Sequence, residues 1–113
     1  MRRIRKKEFL LLPYEAVYCE DTGSEPKGLN IKVQSLGDSD FIYQDVCGNP
    51  DAKDSKQHWD WLNEAEEDDK FDFPLTFDCA SRDGLFEDNF YYVHTKDEVQ
   101  CLIARLNKAL ATM

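Results

Sequence analysis

Residues 29–46 read LNIKVQSLGDSDFIYQDV. Leu29, Ile31 and Val33 alternate with Asn30, Lys32 and Gln34, the two-residue period of a strand with one apolar and one polar face. The apolar set is predicted to be the buried one. Gly37 to Asp40 supplies turn-forming residues, and Phe41 to Val46 is aromatic and β-branched, so a second strand follows directly. Strands joined by so short a link run antiparallel, because a parallel pair needs a crossover of roughly a dozen residues.

Upstream, Glu8–Leu12 and Tyr14–Cys19 are apolar and aromatic, and Pro13 has no N–H for a ladder, so they read as one strand interrupted near a sheet edge. Downstream of a polar break containing Gly48, Asn49 and Pro50, Lys56 to Glu67 has helical composition with Asp54 or Ser55 as its N-cap. Phe71 to Cys79 alternates around Pro74 as a further strand. Asp83-Gly84 then signals a hairpin that returns through Phe90–His94. Thr95 with Glu98 forms a capping box. Behind it Val99, Leu102, Ile103, Leu106 and Leu110 fall on one helical stripe, predicted to face the core. The expected fold is α+β, an antiparallel sheet of about five strands with two helices packed on one face. With 113 residues, 42% of them hydrophobic, residues 8–113 are expected to form a single domain behind a basic N-terminal arm at residues 1–7.

Charge is unevenly placed. Lys and Arg number 14 against 23 Asp and Glu, for a net charge of −9. Arg2, Arg3, Arg5, Lys6 and Lys7 lie within the first seven residues, while the stretch from Asp38 to Glu98 carries 18 acids and 5 bases. Such a field repels phosphates and attracts a basic partner at long range.

Chemical signatures are few. Cys19, Cys47, Cys79 and Cys101 are widely spaced and form no CxxC pair, so they read as free structural thiols, with Cys79 and Cys101 among core residues. His58 and His94 are the only imidazoles, which leaves no zinc pattern. His94, closing a strand, reads as structural. Asp38/Asp40 and Asp51/Asp54 lack the calcium-loop pattern and fit turns. No glycine-rich phosphate loop is present, and no metal or cofactor is expected. The apolar run Phe9–Leu12 is too short for a signal peptide, and no stretch approaches the roughly 20 apolar residues that span a bilayer. A soluble, cytoplasmic protein without a membrane partner is expected.

What remains is His58-Trp59-Asp60-Trp61 followed by Glu64, Glu66, Glu67, Asp68, Asp69 and Asp72. Positions i and i+2 diverge by about 200° on a helix, so one tryptophan can pack inward while the other is exposed. An exposed Trp rimmed by acids has the make-up of a binding hot spot. The expectation is a small acidic, non-enzymatic binding protein that inhibits or neutralises a basic partner, such as a nuclease or another nucleic-acid-binding protein, in the manner of a nucleic-acid mimic. Size and charge alone make it analogous to immunity proteins, antitoxins and phage anti-defence proteins. The alternative is a nucleic-acid-associated accessory protein that binds through Arg2, Arg3, Arg5, Lys6 and Lys7.

Overall fold

The computed structural model describes residues 1–113. Eleven elements follow in order: β1 (Arg2–Arg5), α1 (Lys6–Leu10), β2 (Ala16–Asp21), β3 (Pro26–Leu36), β4 (Asp40–Asp45), β5 (Asn49–Pro50), α2 (Ser55–Glu67), β6 (Leu75–Thr76), β7 (Ala80–Arg82), β8 (Phe90–Val93) and α3 (Lys96–Leu110). The fold is α+β. A six-stranded antiparallel sheet has the order β1-β8-β2-β3-β4-β7, and β5 pairs with β6 in a small second sheet.

The core is aromatic and sits under α1. Phe9, fully buried, stacks on Tyr91 with centroids 4.3 Å apart and meets Tyr18 and Phe41 edge-on at 4.9 and 5.2 Å. Ile4, Leu10, Ala16 and Val93 close the cluster. Residues Glu8–Leu12, expected as a strand, therefore form the second half of a one-turn-and-a-half helix and the turn after it. Helical geometry lets Phe9 and Leu10 both point at the sheet, which alternating strand geometry does not permit.

The hairpin of β3 and β4 forms as expected, with Lys32 opposite Tyr43 and Leu36 opposite Asp40. Its buried face is the other one. Asn30 and Lys32 line the core, opposite Tyr18 and Ala16, while Leu29, Ile31 and Val33 are half-exposed on the far face. Burial of Lys32 is possible because all three of its ammonium protons find acceptors: the carbonyls of Phe9 (3.0 Å) and Leu12 (3.1 Å) and the Ser35 hydroxyl (3.3 Å). The cation thus closes the carbonyl end of α1. Burial pushes its pKa down, and with every donor occupied it is a structural lysine.

Neither of the longer helices packs on the sheet as predicted: α2 and α3 bury no residue. Ile103, Leu106 and Leu110 of α3 are 53%, 57% and 65% exposed. The core face is already occupied by α1, and the capping box at Thr95 starts α3 immediately beyond β8, carrying it away from that face. The Phe71–Cys79 strand shrinks to Leu75–Thr76, and β7 pairs with β4 instead of forming a hairpin with β8. Gly84 forms no hairpin turn; at φ +67° it aims its N–H at a buried carboxylate described below.

Residues 1–7, expected as a basic arm, are built into the sheet edge and α1. The strand Arg2–Arg5 pairs with β8 from Arg2 opposite Val93 to Arg5 opposite Phe90.

Candidate interaction surface

The excursion from Asn49 to Thr76 carries α2 away from the main sheet on a short two-stranded base. Asp54 caps the helix by accepting the Gln57 N–H at 2.8 Å, as its sequence position predicts. The two tryptophans separate as their spacing requires. Trp61 is half-buried and stacks on Phe73, centroids 6.0 Å apart, while Trp59 is 62% exposed beside His58. On a helix turning about 100° per residue, Asn63 and Glu66 share the face of Trp59.

Glu64, Glu66 and Glu67 occupy the last turn of α2, Asp68 is its C-cap, and Asp69 and Asp72 lie in the loop that follows; all six are exposed. None takes part in an ion pair. The local contacts order the backbone and leave the charges free: the Asp68 carboxylate accepts the Lys70 N–H at 3.0 Å, and the Phe71 N–H donates to the Asp68 carbonyl at 3.1 Å. Six carboxylates at the negative end of a helix dipole, with no cation in the last turn, repel one another and oppose the dipole.

The basic residues behave oppositely. Arg2 pairs with Glu8 (2.9 Å), Arg3 with Asp21 (2.9 Å), Arg5 with Asp88 (3.4 Å) and Lys6 with Asp83 (3.2 Å). Arg3 and Arg5 also lie over the Phe90 ring, at 3.6 and 4.8 Å. Only Lys7 of the five is left without a partner. Lys6 is buried and offers nothing to a phosphate.

All four cysteines are free thiols, and Cys19 alone is buried; Cys79 and Cys101, expected among core residues, are exposed, Cys79 in the link between β6 and β7 and Cys101 on α3, which buries no residue. Cys19 Sγ lies 3.6 Å from His94 Nε2, a contact invisible in the sequence because 75 residues separate the two. Burial raises the Cys19 pKa, which favours the thiol over the nucleophilic thiolate. No three His, Cys, Asp or Glu side chains converge as metal ligands, and no helix is long and apolar enough to cross a membrane. Asp40 is buried under the Arg82 guanidinium and accepts the N–H groups of Gly84 and Phe41, each at 2.9 Å. It is a structural anchor more than a turn former. No family model, curated protein or solved structure matches this chain.

Proposed function

We propose that the protein is a small acidic, non-enzymatic binding protein that neutralises a partner through that partner's basic, nucleic-acid-binding surface, with the α2 lobe as its contact face. The observation that carries this reading is the asymmetry of charge pairing. Four of the five cations in residues 1–7 are spent on internal ion pairs, whereas the six carboxylates from Glu64 to Asp72 are exposed and unpaired. Uncompensated carboxylates on an outlying helix weaken the isolated fold and gain most from an external cation. Trp59 supplies an aromatic anchor inside that acidic rim. A nuclease or other nucleic-acid-binding protein in the cytoplasm, where exposed Cys47, Cys79 and Cys101 stay reduced, fits this chemistry.

The test is affinity capture from the native host followed by association kinetics with the captured protein. The triple variant Glu66→Lys, Glu67→Lys, Asp69→Lys is expected to associate more slowly and with a flatter salt dependence than the native chain. Equal association rates would reduce the acidic run to solvated surface. Binding of labelled DNA or RNA by the native chain, lost on charge removal at Arg2, Arg3, Arg5 and Lys7, would favour the accessory-protein reading instead.

A further inference from the structure

The apolar residues of α3 that the fold leaves uncovered have the spacing of a helix-pairing seam. Val99, Ile103, Leu106 and Leu110 follow one another at intervals of four, three and four residues, the alternation that keeps a stripe facing one neighbouring helix. Leu102 and Ala109 flank the seam on one side, and Gln100 and Asn107 on the other.

The chain also exposes more surface than its mass warrants. Its accessible area is 8259 Å², against about 6,400 Å² for a folded monomer of this mass. The excess of about 1,800 Å², to which α2 and α3 both contribute since neither buries a residue, exceeds the roughly 800 Å² that each partner contributes to a standard interface. The radius of gyration, 16.4 Å, is likewise larger than the roughly 13 Å of a compact domain of this length.

We propose that the occupant of this face is a second copy of the chain, with the two α3 helices packed antiparallel about a twofold axis. The seam is self-complementary in that sense alone. Setting Ile103 against Leu106 of the mate sets Val99 against Leu110 at both ends, Leu102 beside Ala109 on one flank, and the amides of Gln100 and Asn107 together on the other. The helix dipoles agree: antiparallel packing sets the N-terminal end of each α3 beside the C-terminal end of its mate. Parallel packing would align like with like. The groove between α3 and the sheet, about 500 Å³ and lined by Tyr14, Val17, His94 and Val99 among others, leads from the seam to the half-exposed sheet face of Val17 and Ile31. The surface available to a mate therefore extends beyond the helices themselves.

This proposal is independent of the acidic lobe and is tested on the protein alone. Sedimentation equilibrium of the full chain across the micromolar range is expected to give twice the 13.2 kDa chain mass. The variants Ile103→Glu and Leu106→Lys are expected to sediment at the single-chain mass with an unchanged circular-dichroism spectrum, since both residues are exposed in the single chain. Orientation is read from the double variant Gln100→Cys, Asn107→Cys, which should cross-link into a dimer with a short bis-maleimide well above the background of either single variant. A native chain that stays at the single-chain mass throughout the range overturns the proposal and leaves α3 to a different protein. A dimer that survives both seam substitutions overturns it too, by placing the interface elsewhere. Cross-linking no greater in the double variant than in the singles overturns the antiparallel arrangement.

Discussion

Lys6 and Asp83, 77 residues apart, form an ion pair of 3.2 Å whose two side chains are only 6% and 9% exposed. The pair fastens the first residue of α1 to the segment between β7 and β8, across the aromatic core, with the ammonium 5.7 Å from the Phe41 ring centre. It holds in place the helix that supplies Phe9.

Removing one member leaves the other buried without a countercharge. Lys6→Met is expected to cost about 3–5 kcal/mol, whereas Lys6→Met combined with Asp83→Leu should recover most of that loss, because a buried pair contributes far less than its breakage costs. Urea unfolding of the two single variants and the double variant forms the cycle that checks this. A double change that costs the sum of the two single changes would mean that the pair carries no coupling.

Asp40 gives the fold an acid-sensitive anchor. The Arg82 guanidinium, with the Gly84 and Phe41 N–H groups, holds its carboxyl at about 2, below the ordinary carboxylate value of about 3.9. A depressed acid stabilises the folded state above its unfolded pKa and loses that contribution as pH falls through its folded pKa. Stability should therefore drop between roughly pH 4 and about pH 2. Asp21, held low by the Gly23 N–H and Arg3, and Glu98, at about 2, add to the same trend. Asp40→Asn should lower stability at neutral pH and flatten, without abolishing, the acid slope. Melts of both proteins at several acidic pH values measure the difference, and identical slopes would remove Asp40 from the account.

The Tyr91 hydroxyl is buried without a hydrogen-bond partner, and burial pushes its pKa well up. Its ring, stacked on Phe9, supplies the packing. Tyr91→Phe keeps the ring and removes the unsatisfied group, so it should leave stability unchanged or raise it by up to about 1 kcal/mol. A loss of 2 kcal/mol or more on this scale would show that the hydroxyl is satisfied in solution. Thermal unfolding is sufficient to decide.

Much of the local structure is legible in the sequence because its causes are local. The caps at Asp54 and Thr95 lie within three residues of the N–H groups they satisfy, and the split of Trp59 from Trp61 follows from helical pitch. The β3–β4 alternation is equally plain. Which of its faces is buried depends on Lys32 meeting carbonyls 20 and 23 residues away, and hydrophobicity alone gives the opposite answer. The helical state of Glu8–Leu12 depends on what its side chains cover. The apolar stripe of α3 states that a surface must be covered, without saying that α1 would reach the core first. For the candidate site, the sequence identifies the acids and the cations but not their pairing, which is set by contacts such as Arg3 with Asp21 and Arg5 with Asp88 across the folded sheet.

That difference in pairing leads to a prediction in which stability and binding move in opposite directions. Glu66 and Glu67 sit in the last turn of α2, where carbonyl dipoles favour cations. Replacing both by Lys should stabilise the isolated chain by about 0.3 kcal/mol each at low ionic strength, and the gain should shrink as salt screens it. The same substitutions remove two negative charges and add two positive ones in the last turn of α2, Glu66 on the face of Trp59, so association with a basic partner should slow. Trp59→Ala, by contrast, should act on dissociation, because a desolvated aromatic anchor holds the formed complex more than it guides the encounter. Thermal melts at two salt concentrations, set beside association and dissociation rates with the captured partner, separate the two effects. A surface that only keeps the protein in solution would show the stability gain with unaltered rates. A binding surface would show a more stable protein that finds its partner less often.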